Sequence, residues 1–177
     1  SYRGSGRLTG RRALITGGDS GIGSAAAIAY AREGADVAIN YLPAEESDAR
    51  EVIELIEAEG RNAVAIPGDL REASFCSELV EKAVEQLGGL DILVNNAGRQ
   101  QWQPSIMDIS HEAFDDTMKT NLYAMYWITQ AAIPSPNVVF RPKRFKHHGN
   151  RSNAGNSEIC PMVITAGTQF LLYCRDS

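Results

Sequence analysis

Ala13-Leu14-Ile15-Thr16-Gly17-Gly18-Asp19-Ser20-Gly21-Ile22-Gly23 reads as a strand that turns through glycines into a helix. Ala13 to Thr16 is a short apolar run of the kind buried on both faces of a parallel sheet. From Gly21 a helical period sets in, with Ile22, Ala26, Ala29 and Tyr30 along one side. The turn between them suits a phosphate. Gly17, Gly21 and Gly23 keep side chains out of the way, so N–H groups at the positive end of a helix can meet a pyrophosphate, and Gly23 lets the helix lie close on the strand. The spacing, G-x-x-x-G-x-G, is one residue away from the commoner G-x-G-x-x-G fingerprint, so the glycines alone leave open a turn with no ligand.

The pattern then repeats. Ala35 to Tyr41 is a second strand, Pro43 to Glu59 a helix with Ala49, Val52, Ile53 and Ile56 inward, and Asn62 to Pro67 a third strand closed by Gly68-Asp69-Leu70. A further helix is expected from about Glu72 to Gln86, and Leu90 to Val94 is a fourth strand running into Asn95-Asn96-Ala97-Gly98. Strands alternating with helices imply a doubly wound, mostly parallel α/β sheet, whose ligands lie beyond the C-terminal strand ends. Asp69 stands at such an end, where it serves either a ligand or the cap of the following helix. From Ser110, an N-cap, a long amphipathic helix runs to about Ala132 with Phe114, Met118, Leu122, Met125 and Ile128 along it. Trp102 belongs to a loop, as a pocket wall or a packing plug.

The glycine turn together with Asn95-Asn96-Ala97-Gly98 at this distance closely resembles the short-chain dehydrogenase/reductase family over residues 10–133. The resemblance implies a Rossmann-like fold binding a nicotinamide dinucleotide. Thr16, Gly17, Ser20, Gly21, Ile22 and Gly23 would form the pyrophosphate loop, Asn40 and Tyr41 would lie near the adenosine ribose, and Asp69 with Leu70 at the adenine. Asn95, Ala97 and Gly98 would flank the nucleotide. Asn121 matches the family's active-site Asn, which breaks its helix and orders a water beside a catalytic Lys. Tyr123, Tyr126 and Trp127 fit the subunit interface that this helix often forms in family members, hence a homo-oligomer. Where dinucleotide folds that select NAD place an acid, this chain has the neutral Asn40 and Tyr41, so NADP is favoured and NAD stays open.

Composition narrows the setting. The net charge of −5 argues against nucleic acid as the main partner, three scattered cysteines make neither a disulfide framework nor a zinc site, and no apolar run approaches the ~20 residues of a membrane span. Reduced thiols and the lack of a signal peptide point to the cytoplasm. The Gly- and Arg-rich residues 1–9 read as a loose N-terminal arm, although their wording resembles a bacterial subgroup whose arm packs on the body or on a partner.

The resemblance stops after Ile133. Residues 1–133 carry 11 Lys/Arg against 20 Asp/Glu, whereas residues 134–177 carry 6 against 2. In place of a fifth strand ending in Ser and a Tyr-x-x-x-Lys motif come Pro134-Ser135-Pro136, a basic cluster from Arg141 to His148, and two short strand-like pieces around Val163 and Leu171. No tyrosine of the chain is followed four residues later by Lys. The expectation is thus a sheet truncated after about four strands, then an atypical basic tail. A free Tyr, with a pKa of about 10, is a poor base near neutrality unless a neighbouring Lys lowers it. Two functions follow: a hydride-transferring oxidoreductase acting on a small alcohol or carbonyl, or a catalytically inactive fragment that at most binds a dinucleotide. In either, metal plays no part.

Overall fold

The computed structural model describes residues 2–133 and 162–165. Its centre is one parallel sheet of five strands, β1 (Arg12–Thr16), β2 (Asp36–Tyr41), β3 (Ala63–Pro67), β4 (Ile92–Asn95) and β5 (Met162–Thr165), in the order β3-β2-β1-β4-β5. The chain winds outward from β1 through β2 to β3, then returns to β1's other side for β4. That reversal opens a crevice at the C-terminal ends of β1 and β4.

β1 lies between two cores. Leu14 faces one side with Ala38, Leu93, Leu79 and Ile128, beneath α3 (Ala73–Leu87) and α5 (Ala124–Ala132). Ala13 and Ile15 face the other with Val37, Ile39, Ala27 and Ile56, beneath α1 (Gly21–Arg32) and α2 (Glu46–Ala58). Burying each Leu or Ile contributes about 1.5–3 kcal/mol before chain entropy is set against it. Two-sided burial explains why β1 and β4 are continuous apolar runs.

Three expectations change. The inward face of α1 is Gly23, Ala27 and Ala31, not the row begun by Ile22, which is 76% exposed at the crevice. Small residues win because α1 sits so close: a Cβ on Gly23 would run into the Gly17 carbonyl oxygen. The single long helix after Ser110 is α4 (His111–Met118), a π-helical turn over Lys119–Tyr123, and α5. Ser110 Oγ does cap it, accepting from Ala113 N at 3.0 Å. The π turn shifts the helical phase, so Phe114 and Leu122 lie exposed while Ala124, Ile128 and Ala132 are buried. Trp127 also turns inward and packs against the core, meeting Tyr123 edge to face at 5.8 Å.

The third change concerns the strand count. Beside the four strands read from residues 12–95, β5 adds a fifth around Val163, in parallel register with β4 from Ile92↔Met162 to Asn95↔Thr165. It occupies the slot that the sequence reading left empty after Ile133. The basic cluster and the piece around Leu171 lie outside the described residues.

The arm is docked rather than loose. Glu33, 4% exposed at the end of α1, accepts from Arg7 Nη2 (2.7 Å), Arg7 N (2.9 Å), Ser5 N (3.1 Å) and the Tyr2 hydroxyl. The Arg7 hydrogen bond, then that of Tyr2, hold the Glu33 carboxyl far below the usual carboxylate range. Leu8 N closes the fold-back on the Glu33 carbonyl at 2.8 Å.

Candidate functional site

A cleft of about 590 Å³ occupies the crevice. Its first end is backbone. Gly17 and Gly21 are left-handed, with φ of +59° and +54°, and a Cβ on Gly17 would stand 3.0 Å from Ala97 Cα. Ser20, the N-cap of α1, makes no capping hydrogen bond, and the first turn holds no acid, so that turn's N–H groups are left for a ligand. Gly17, Ser20 and Ile22 line this end, together with the buried carboxylate of Asp19.

Thr16 works from behind the loop. Its buried Oγ1 accepts from the N–H groups of Asn96 and Ala97, each at 3.0 Å, and so ties the exit of β4 to that of β1. Asn96 completes the tie, its Nδ2 donating to the carbonyls of Thr16 (3.0 Å) and Gly17 (2.9 Å). Asn96 lines the cleft; its neighbour Asn95 does not. Strand alternation turns Asn95 to the opposite face, where Nδ2 donates to Thr129 Oγ1 at 3.2 Å and Oδ1 has no partner among the described residues.

The second end is built by β2 and β3. Asn40, 2% exposed, donates to the carbonyls of Ile66 (3.1 Å) and Gly68 (3.2 Å), which fixes the exit of β3 against that of β2. The Tyr41 hydroxyl donates to Glu46 Oε2 at 2.6 Å; burial first, then that carboxylate, push the phenol up to about 12. It is therefore neutral across the physiological range. Glu45, Asp69, Leu70 and Arg71 continue the lining. Asp69 does not cap α3, whose N-cap is Glu72; its carboxylate is taken by Arg71.

Of the thirteen residues expected to bind a cofactor, nine line this one cleft: Gly17, Ser20, Ile22, Asn40, Tyr41, Asp69, Leu70, Ala97 and Gly98. Thr16, Gly21, Gly23 and Asn95 are absent from the lining, the first and third because they carry the loop from beneath. Sequence reasoning missed Asp19, Asn96, Arg71 and Arg99. Asn96 was within reach of it, since period-two alternation from Val94 puts the second asparagine, not the first, on the β1-loop side.

A second cavity of about 570 Å³ shares Gly98 to Gln101 with the cleft and is lined on its far side by Phe114, Thr117 and Asn121. Asn121 sits in the π turn, whose wider winding suits a position where a side chain must reach a neighbouring loop. Its Nδ2 donates to the Arg99 carbonyl (2.9 Å) and its Oδ1 accepts from Arg99 N (2.6 Å), a two-way clamp on the loop after β4. Trp102, 82% exposed, lines neither cavity. Among the described residues no group of three acidic, His or Cys side chains is placed to hold a metal, and no helix is long and apolar enough to cross a membrane.

Comparison with known proteins gives a consistent picture. A family model described as short chain dehydrogenase matches residues 11–138. The oxidoreductase YhxD of Bacillus subtilis, itself uncharacterized, is 62% identical over 134 residues, which cover 76% of this chain and 45% of that protein. A solved short chain dehydrogenase from Burkholderia cenocepacia in complex with NADP superposes with a TM-score of 0.68 at 44% identity, over 71% of this chain and 51% of the other. A metagenomic blue fluorescent protein in complex with NADPH gives 0.64 at 36% identity, over 71% and 51%. The chain thus spans about half the length of the proteins it matches.

Proposed function

This chain belongs to the short-chain dehydrogenase family, and on that premise we propose that residues 10–133 form the dinucleotide-binding half of an NAD(P)-dependent oxidoreductase acting on an alcohol or carbonyl. The observation that carries the reading is the convergence, in one cleft, of a glycine cradle at a helix N-terminus with the exits of four parallel strands. The cradle fits the group: a Cβ at Gly17 would crowd Ala97, on the wall of the space a diphosphate would use.

The roles follow from position. Gly17, Ser20, Gly21 and Ile22 present backbone N–H groups to the diphosphate, and Gly23 and Thr16 set how closely helix and strand meet beneath it. Asn40 and Tyr41 border the ribose, Asp69 and Leu70 the base, and Asn96, Ala97 and Gly98 the span between. When bound, the dinucleotide supplies or accepts hydride at its nicotinamide ring. Asn121 holds the loop between the cleft and the second cavity, where the substrate would enter.

The ribose end admits a 2′-phosphate without offering a dedicated cation, since Asn40 and Tyr41 are neutral and Glu45 stands close by. NADP is favoured over NAD only weakly: solved relatives hold NADP and NADPH, and one holds NAD. The exposed Leu122, Tyr123 and Tyr126 form the face through which the chain would self-associate. A soluble cytoplasmic setting fits the reduced, buried Cys76.

A second reading has its own observation. The chain contains no Tyr-x-x-x-Lys, and such acid–base assistance is worth roughly 10² to 10⁴ in rate. In that reading the cleft binds a dinucleotide without turning it over. Thermal melts of the purified chain with NADP(H) and with NAD(H) test the binding common to both. A ligand at 100 times its Kd should add ~2.7 kcal/mol to the folded state, and a melt unmoved by either would end the oxidoreductase reading. Turnover of any alcohol or aldehyde above background would then exclude the inactive one.

A further inference from the structure

Helix α1 bears the glycine cradle at its first turn, and its other end is gripped by the arm, a segment to which dinucleotide binding assigns no task. On the two oxygens of the Glu33 carboxylate converge the Tyr2 hydroxyl, Arg7 Nη2, the backbone N–H groups of Ser5 and Arg7, and Ser5 Oγ at 3.3 Å. Arg7 Nη2 also donates to the Tyr2 oxygen at 2.7 Å, so the donors brace one another. Gly4 lies so flat on the end of α1 that a Cβ there would run into the Arg32 carbonyl oxygen. From this grip the arm leads straight into β1: Arg11 N donates to the Leu8 carbonyl at 2.9 Å, and Asp36 N, at the start of β2, donates to the Arg11 carbonyl at 2.8 Å.

β1 and α1 therefore form a closed frame. They meet at the cradle, where Gly23 lies against the Gly17 carbonyl, and again at the opposite end, where Glu33 meets residues 2–8. The contact between these two joints is smooth. The fully buried residues of α1 are Gly23, Ala27 and Ala31, with Ile28 and Tyr30 half-buried beside them. Small side chains let a helix approach closely but raise only shallow ridges, so they fix its distance from the sheet better than its position along its own axis. An almost wholly buried carboxylate with five converging donors supplies the missing stop, since so many charge-assisted bonds leave it one pose.

We propose that Glu33 is a positioning residue for the cofactor: by locking the arm onto the far end of α1 it fixes the helix along its axis, and so sets where the N–H groups of Gly21 and Ile22 stand against a bound diphosphate. The inference rests on the dinucleotide reading above. Backbone donors cannot swing toward a ligand as a Lys or Arg side chain can, so they reach it only when the whole helix is in place. A rigid shift of α1 moves all of them at once. A displacement of about 1 Å passed on from a distant change can cost a site on the order of a hundredfold.

The test detaches the arm in three ways, through Glu33→Gln, Gly4→Val and Arg7→Met, in the whole chain at a temperature where circular dichroism shows every variant folded. Two quantities are read: the Kd for NADPH by fluorescence titration, and the amide shifts of the free chain by NMR. Glu33→Gln and Gly4→Val should raise the Kd about tenfold and Arg7→Met about threefold, the loss of one or two hydrogen bonds to the ligand. The amides of Gly21 and Ile22 should shift while those of Leu70 and Arg71, at the base end, stay in place. A merely structural grip would lower the melting temperature and leave both quantities alone, so an unchanged or lowered Kd, or shifts that do not reach Gly21 and Ile22, overturns the assignment. Weaker binding with shifts at both ends of the cleft marks general loosening and overturns it as well. If Glu33→Gln does not fold, Arg7→Met carries the test, since that side chain is 70% exposed. Wild type that does not bind NADPH overturns the assignment together with the reading it rests on.

Discussion

At the phosphate end of the cleft the working surface is backbone, while at the base end it is charged side chains. The first consists of Gly17, Ser20 and Gly21 over a floor of buried contacts, with the Thr16 hydroxyl and the Asn96 amide locking the two strand exits together. The second consists of Asp69, Arg71, Asp116 and Arg99, partly in water. Residues of both ends line one cavity, but different forces hold them. Close packing and buried hydrogen bonds tolerate little change, whereas rim charges reorganise at small cost. The phosphate end should therefore govern whether the chain folds, and the base end how well it selects.

That contrast can be broken most directly at Gly23. A Val there meets the Gly17 carbonyl and Asn96 Nδ2, and should destabilise the fold by at least about 3 kcal/mol. A Gly23→Val chain melting at the wild-type temperature would mean that α1 does not rest on the turn as described. Thr16→Val keeps the shape but leaves two N–H groups without their acceptor. A loss of about 2 kcal/mol in denaturant midpoint is expected, much of it the penalty of unpaired donors. Asn121→Ala releases the loop after β4 from its two hydrogen bonds, at about 1 kcal/mol. Amide exchange should quicken at Arg99 and stay unchanged at Thr16, and equal quickening at both would dissolve the distinction between the two ends.

The smallest effect is expected at the rim. Asp69→Asn should shift stability by no more than about 1 kcal/mol at pH 7. Because Arg71 lowers the Asp69 pKa in the folded chain, its contribution is complete above the unfolded value of about 3.9 and lost as pH falls through the lowered one. The melting-temperature gap between wild type and Asp69→Asn should accordingly be flat from pH 8 to 5 and close below about pH 4. A gap that instead widens in acid would show that the pairing with Arg71 does not hold in solution.

Much of the fold was legible because its signals are local. The apolar run Ala13 to Thr16, the glycines that follow, and the alternation of strands with helices each depend on residues a few positions apart. The strand exits of a doubly wound sheet then place the cleft. The face of α1 was misread for a physical reason: the large residue Ile22 belongs to the ligand side, and the close contact is made by Gly23, which carries no hydrophobic signal. The break in phase at Lys119–Tyr123 was signalled only by the resemblance of Asn121 to a family Asn that breaks its helix, since a π turn leaves the composition of a helix unchanged. β5 was visible only as a short apolar piece around Val163, with nothing nearby in sequence to say which strand it would join.

By itself the sequence determined the parallel α/β architecture, the glycine cradle and nine of the residues that line the cleft. The first two are consequences of period, backbone freedom and strand order, which short stretches carry, whereas the nine residues came from the family resemblance. Tertiary structure alone decided that Thr16 and Asn96 lock the exits of β1 and β4 together, that Glu33 holds the arm, and that Arg71 joins Asp69 to Asp116. These depend on side chains far apart in the chain, up to 80 positions for Thr16 and Asn96, and only packing brings such groups within hydrogen-bond reach.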